Sequence, residues 1–270
     1  MNETLLIGCG NLGFSITEVF LRRKKKISII EKNKKSLNLL KKKKSKLVTI
    51  HNSFKEINFA KYKYIILCVK PLDLEKLSKQ LNQFTQNNNV IVSCVAGVTT
   101  SSLKNFFNSK LSIVRIMPNL SIKYGQSVTA VYSTNFSEKQ KKSLKEFFSF
   151  FGSLIWLKKE EEIDFFTAFF GGGPAYVCYF LRCLQKILTR QKMNKKTSTS
   201  LIFNLLNGTI NYLENEKIGF NELISKVASK GGTTEEALKY FSHNQRLESV
   251  FVTAISKAEK KSKEISKSYN

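Results

Sequence analysis

Three glycines at positions 8, 10 and 13 close a short apolar run, Thr4-Leu5-Leu6-Ile7, and open a stretch with helical spacing. This is the G-x-G-x-x-G order in which a strand turns into a helix over the pyrophosphate of a dinucleotide. Gly8 permits the tight turn, Gly10 lets the backbone approach phosphates, and Gly13 lets helix and strand pack closely. The helix N-terminus then presents N–H groups and the positive end of its dipole to the anion. A glycine-rich turn with no ligand is the plainer reading of the same residues. The next strand, Ile27 to Ile30, ends at Glu31, where an acidic side chain hydrogen-bonds the ribose of NAD. Lys32, Asn33, Lys34 and Lys35 follow at once. Cations there suit the 2′-phosphate of NADP, or form a solvated face. The residues leave that choice open.

The elements that must position such a turn can be read from hydrophobic periodicity. Strands are expected at Leu5–Ile7, Ile27–Ile30, Leu47–Ile50, Tyr64–Val69, Val90–Cys94, Ser112–Met117, Ser127–Tyr132 and Leu154–Leu157. Between them lie helical stretches: Leu12–Leu21, a short one through Leu37, Leu39 and Leu40 that Ser36 would cap, one opened by Pro71, and one from Thr100 or Ser101. Strands alternating with helices predict a doubly wound parallel sheet through residue 158. Its ligand edge would carry Gly8–Gly13, Lys70-Pro71, Ala96-Gly97 and Pro118-Asn119. After Glu160 strand patterns stop and helical ones take over: 163–170, 175–189, 197–215, 220–228, 234–241, and from Leu247 onward. The expected division is therefore 1–158 and 159–270. The apolar helix faces of the second part are generous enough to suggest a subunit interface.

Composition narrows the class. The formal charge is +25, from 45 Lys and Arg against 20 Asp and Glu. The lysines are spread along the whole chain, so compositional bias explains them better than a nucleic-acid footprint does. Cys9, Cys68, Cys94, Cys178 and Cys183 form no C-x-x-C pair and read as small apolar residues of a reducing compartment, the cytoplasm. Two histidines, His51 and His243, are too few and too separated for a metal site, and none is expected. No signal peptide is expected either, and no apolar run is long enough to span a membrane.

Together the motifs resemble those of the pyrroline-5-carboxylate reductase family. The matching residues are Ile7-Gly8-Cys9-Gly10-Asn11-Leu12-Gly13, Cys68-Val69-Lys70-Pro71, Ala96-Gly97-Val98-Thr99, Arg115-Ile116-Met117-Pro118-Asn119, Gly173-Pro174-Ala175-Tyr176 and Ser229 to Ala237. They keep the family's order and approximate spacing over nearly the full length. The resemblance implies an N-terminal doubly wound Rossmann domain followed by an all-helical dimerisation domain. It implies reduction of 1-pyrroline-5-carboxylate to L-proline by NADPH, with NADH as the other donor, in a homodimer or larger homo-oligomer. By the same resemblance, cofactor contacts fall on Gly8, Cys9, Gly10, Asn11, Leu12, Lys32, Asn33, Asn52, Lys70 and Pro71. Substrate contacts fall on Ser229, Gly231, Gly232, Thr233 and Thr234, with Thr234 hydrogen-bonding the ring nitrogen that gains a proton. A related imine or 3-hydroxyacid reductase, or a dimeric paralogue with altered activity, are the competing classes. The sequence departs from the family at Phe169-Phe170-Gly171-Gly172-Gly173, where a serine-rich lead-in is usual. It departs again at Lys230, where proline is usual, and at Arg182, where an acid is usual.

Overall fold

A computed structural model describes residues 3–86, 88–107, 111–134 and 136–269. The first half runs β1 (Glu3–Ile7), α1 (Asn11–Arg22), β2 (Ile27–Ile30), α2 (Lys34–Lys42), β3 (Val48–His51) and β4 (Tyr62–Leu67). It continues with α3 (Leu74–Leu81), β5 (Val90–Ser93), α4 (Thr100–Phe106), β6 (Ser112–Met117), β7 (Ser127–Tyr132), α5 (Glu138–Phe147) and β8 (Gly152–Trp156). Only helices follow: α6 (Glu162–Phe166), α7 (Gly173–Arg190), α8 (Lys195–Glu216), α9 (Phe220–Val227), α10 (Thr233–Ser242) and α11 (Arg246–Lys267). The class is as the sequence predicts, an α/β sheet domain and then an all-helical region. No helix among the described residues is long and apolar enough to cross a membrane.

The eight strands form one sheet in the order β3-β2-β1-β4-β5-β6-β7-β8. Successive strands are added on one side of β1 up to β3 and on the other from β4, while β1 and β4 stay parallel, so the β1/β4 boundary is the switch point at which such sheets bind ligands. Side chains alternate between faces, so Leu6, Tyr64 and Ile66 join Ile16, Val19 and Phe20 of α1 and Leu144 of α5 on one side. Leu5, Ile7, Ile65 and Leu67 join Leu74 and Leu77 of α3 and Leu103 of α4 on the other. Helices thus cover both faces, and the central strands are largely apolar, with Lys63 in β4 and Arg115 in β6 as exceptions.

Three details differ from the sequence expectation. The sheet is not wholly parallel, because β6 and β7 pair antiparallel. The connection between them holds only a 3₁₀ turn, Leu120–Tyr124, and a parallel return needs a longer crossover. Helix α2 is capped by Asn33, not Ser36: the Asn33 Oδ1 accepts the Lys35 and Ser36 N–H groups at 2.9 and 3.1 Å. Helix α5 was not anticipated, although Ser137 and Gln140 close a reciprocal capping box at its start.

The chain divides into two compact units, Met1–Pro174 with Lys257–Asn270, and Ala175–Ser256. In the first unit the C-terminal turns of α11 return to the sheet. The Ser262 and Ser266 hydroxyls donate to the Asp164 carboxylate at 2.6 and 3.1 Å, and Ile265 packs against Gly97.

One buried ion pair ties the sheet to its loops. Glu160 accepts from the Arg115 guanidinium at 3.0 Å, the Thr100 N–H at 2.7 Å and the Thr100 hydroxyl at 2.6 Å. Arg115 is almost wholly buried on β6. Removing the acid leaves that charge and the N–H without partners. Glu160→Ala is therefore expected to lower unfolding stability by about 3–5 kcal/mol, read from denaturant midpoints. Glu75→Ala, which removes the fully exposed pair with Lys79, is expected to leave the midpoint in place.

Candidate active site

Two glycines of the β1–α1 turn, Gly8 and Gly13, leave no room for a side chain. Gly8 has φ +89°, and a Cβ there would lie 2.6 Å from the Cys68 carbonyl oxygen. A Cβ on Gly13 would collide with the carbonyl oxygen of Gly8. The turn is laced to its neighbours by Gly8 N–H to the Ile30 carbonyl at 2.9 Å and Cys68 N–H to the Ile7 carbonyl at 2.8 Å. Helix α1 starts at Gly10 with no side-chain cap and no acid in its first turn. Its first N–H groups are left facing outward, and a Cβ at Gly10 would meet nothing within 4 Å. An uncapped helix start with open space over it is what a pyrophosphate requires.

Beside the turn lies a cavity of about 470 Å³ whose walls include Gly8, Glu31, Lys32, Asn33, Asp73 and Lys76. An adjoining hollow of about 320 Å³ is walled by Lys32, Asn52 and Phe54 among others. Five predicted residues, Gly8 to Leu12, thus share the turn, and Lys32, Asn33 and Asn52 line the adjacent hollows. Lys70 and Pro71 stand at the same strand edge, but Val69 and Asp73 form the wall there. Cys9 turns its thiol into the core beside Leu6 and Ile16, so only its backbone faces the site. Its N–H donates to Glu31 Oε2, and the Asn33 N–H donates to Glu31 Oε1 at 2.6 Å. Asp73, Lys76 and Gln80 were not singled out from the sequence. Lys76 and Gln80 share a face of α3 by their i, i+4 spacing, which is the signal that could have marked them.

Two thiols under the turn are held protonated. Burial pushes Cys9 up to about 12, against a hydrogen bond with Thr17 that pulls the other way. Cys68 is held well above its ordinary value by its hydrogen bond to Cys94 and then by desolvation.

The second set of predicted residues lies in Ala175–Ser256. Ser229 to Gly232 form the turn that opens α10, with Thr233 and Thr234 as its first residues. Gly232 is the cap position and contributes no side chain. A Cβ there would meet the Ser229 hydroxyl at 2.6 Å. The Gly231 N–H is already donated to Glu235 Oε2 at 2.7 Å, so this one N–H of the turn is occupied. Thr234 lines a hollow of about 780 Å³ whose other walls include Leu205, Tyr212, Phe220 and Ile224. Among the described residues nothing hydrogen-bonds its hydroxyl.

Residues 4–97 match the family described as "NADP oxidoreductase coenzyme F420-dependent". Residues 160–265 match the one described as "Pyrroline-5-carboxylate reductase dimerisation". A pyrroline-5-carboxylate reductase of Staphylococcus saprophyticus is 32% identical over 75% of this chain and 74% of its own length. The chain belongs to the pyrroline-5-carboxylate reductase family. A Haemophilus influenzae member is 28% identical over 74% of this chain and 75% of its own. Among solved structures, the Coxiella burnetii reductase aligns with TM-score 0.84 at 23% identity, over 97% of this chain and 98% of that one. The Plasmodium falciparum enzyme, solved with NADP bound, aligns with TM-score 0.83 at 21% identity over 98% of each chain. At those identities the likeness concerns the fold. Ahead of α7 the chain widens into a π-turn over Thr167–Gly171. Asn119 anchors that turn by donating its amide to the Phe170 carbonyl at 3.0 Å.

Two outcomes follow from this geometry. Gly10→Ala is expected to fold normally yet bind dinucleotide at least about tenfold more weakly, whereas Gly13→Ala loses stability as well. Thermal unfolding together with a binding titration separates the two. The Cys9 thiol has a higher pKa in the fold than its ordinary value of about 8.5, so the fold favours the neutral form. That contribution is complete below pH ~8.5 and is lost as pH rises toward 12, by up to about 1.4 kcal/mol per unit. The unfolding midpoint between pH 8 and 11 should therefore fall more steeply in wild type than in Cys9→Ala.

Proposed function

We propose that this chain reduces 1-pyrroline-5-carboxylate to L-proline in the cytoplasm, the last step of proline synthesis, with NADPH or NADH as donor. The observation that carries the reading is the uncapped glycine turn at the sheet's switch point, in a chain whose residues 160–265 match the reductase dimerisation family. Residues 1–158 act as the dinucleotide-binding part and 159–270 as the dimerisation and substrate part.

The bound nicotinamide supplies the hydride. The protein's work is to bind, orient and exclude water. Gly10, Asn11 and Leu12 turn backbone N–H groups toward the pyrophosphate. Lys32, Asn33 and Asn52 border the adenosine end, and Lys70 and Pro71 flank the same edge. Ser229, Gly232 and Thr233 hold the substrate carboxylate at the start of α10, where the helix dipole favours an anion. Gly231 shapes that turn while its own N–H stays on Glu235. The Thr234 hydroxyl bonds the ring nitrogen and positions it as it gains a proton. No histidine or carboxylate pair is needed for this step.

A second copy of the chain covers the apolar surfaces of Ala175–Ser256. Phe220 is 78% exposed and Leu205 62%, and both border the hollow that contains Thr234. The stretch Phe169–Gly173, where the family resemblance implies serines, favours one competing reading, a dimeric paralogue without this activity.

The test is loss of nicotinamide absorbance with purified protein, racemic pyrroline-5-carboxylate and each reduced dinucleotide. Turnover is expected with wild type, and Thr234→Val is expected to lower kcat roughly a hundredfold while dinucleotide affinity holds. A folded protein silent with both donors would establish the paralogue reading instead.

A further inference from the structure

The loop after β5, from Ala96 to Thr99, stands at the same C-terminal edge of the sheet as the glycine turn. Strands β1, β4 and β5 are neighbours and run parallel, which brings their ends together. Both ends of this loop are fixed by the sheet domain. The Cys94 N–H donates to the Leu67 carbonyl at 2.9 Å, and Glu160 takes the Thr100 N–H and hydroxyl at 2.7 and 2.6 Å. Its middle is held by the end of α11. Gly97 is buried there with φ +78°, and a Cβ on it would lie 2.9 Å from Ile265 Cγ2 and 3.3 Å from the Ile265 carbonyl oxygen. The helix backbone rests directly on the loop.

What seats the helix is Asp164 on α6. Its Oδ1 accepts the hydroxyls of Ser262 and Ser266 at 2.6 and 3.1 Å. At i, i+4 spacing the two serines share a helix face, and Ile265 lies in the same turn. Helix α6 is a firm base for this contact, because Ile163 is fully buried and Glu160, just ahead of it, is paired with Arg115. A chain end frays unless something ties it down. Ile265 remains 39% exposed, so its apolar contact alone grips weakly. We propose that Asp164 is a positioning residue: by seating α11 on Gly97 it fixes the β5–α4 loop against which the nicotinamide half of the dinucleotide lies. This rests on the reading of the chain as a dinucleotide-dependent reductase.

The argument is one of reach. Lys32, Asn33 and Asn52 line hollows on the β2 and β3 side of the glycine turn. A dinucleotide with its pyrophosphate at the turn and its adenosine on that side extends its other half over β4 and β5. The loop at Gly97 then borders the reacting ring, where a displacement of about 1 Å costs far more in rate than in binding. Pyrophosphate and adenosine are held elsewhere, so affinity for the dinucleotide does not depend on the contact at Asp164.

The experiment compares full-length wild type with Asp164→Ala, with Ile265→Ala and with Ser262→Ala/Ser266→Ala. Amide exchange of residues 95–99 is followed with and without NADPH, in the absence of any imine. Each variant is expected to exchange that loop at least about tenfold faster than wild type. NADPH should slow exchange there in wild type and do so much less in Asp164→Ala. NADPH affinity should stay within about twofold, while kcat for pyrroline-5-carboxylate falls about tenfold. Asp164→Asn keeps an acceptor for the serines and should retain most of the rate. Loop exchange unmoved in Asp164→Ala and in the serine variant overturns the inference, as does a loop that NADPH leaves unprotected in wild type. A kcat loss that follows the unfolding midpoint and not the loop overturns it too. Turnover by wild type alongside any of these results leaves the function standing. The expected exchange pattern in a folded protein that does not turn over defeats the function and leaves the inference standing. Failure to bind NADPH defeats both.

Discussion

The first unit is organised by a contact between backbones at Gly8, Gly13 and Cys68. Helix α1 can approach β1 only because Gly13 carries no side chain where the Gly8 carbonyl lies, and β4 can approach the turn only because Gly8 leaves 2.6 Å to the Cys68 carbonyl. Packing and binding share this constraint. The close approach seats Ile16, Val19 and Phe20 of α1 against the sheet, which anchors the helix by burial of apolar area. It also leaves the start of the same helix at the switch point with its N–H groups unclaimed. A larger residue at either glycine would lift α1 from the sheet, and the uncapped start of the helix would move with it.

A chain with a formal charge of +25 might be expected to run its site on lysines, yet the acids decide more. Exposed lysines are mobile and screened, and each contributes little wherever it points. Three carboxylates that are partly withdrawn from solvent are each fixed by two or more donors. Glu160 holds Arg115 and the start of α4. Asp164 receives the two serines of α11. Glu31 joins the glycine turn to the start of α2. Position and restraint, not number, give these side chains their influence.

Most of the sheet was legible in the sequence because its central strands are short apolar runs that end in turn residues. The glycine spacing located the strand-to-helix turn at the C-terminal edge of the sheet, and the Cys68 to Pro71 and Ala96-Gly97 segments lie on the same edge. What could not be read depended on distance or competition. The reversal at β7 is set by the length of the Pro118–Gln126 link, which periodicity does not report. The true cap of α2 was missed because Asn33 was read for its place beside lysines, when its side chain is spent on the helix start. Helix α5 carries a low apolar content, so its capping box was a better signal than its periodicity. The roles of Glu31 and its lysines were undecidable in one dimension. Which of them is restrained is a property of the fold.

The helical region poses a different physical problem. A helix in water is held chiefly by tertiary packing of its apolar face. In α8 only Ser198 and Ile202 are buried, and α7, α9 and α10 bury none of their residues. Large apolar side chains such as Phe203, Tyr240 and Phe220 stand exposed instead. Exposed apolar area on this scale marks an interaction surface, in agreement with the dimerisation family that residues 160–265 match. The turn from Ser229 to Thr234 is carried by these same elements. Its geometry can be no more rigid than the helices around it, so whatever covers their apolar faces also fixes the atoms that would meet the substrate. Assembly in such a chain is a condition for precise positioning as well as for stability.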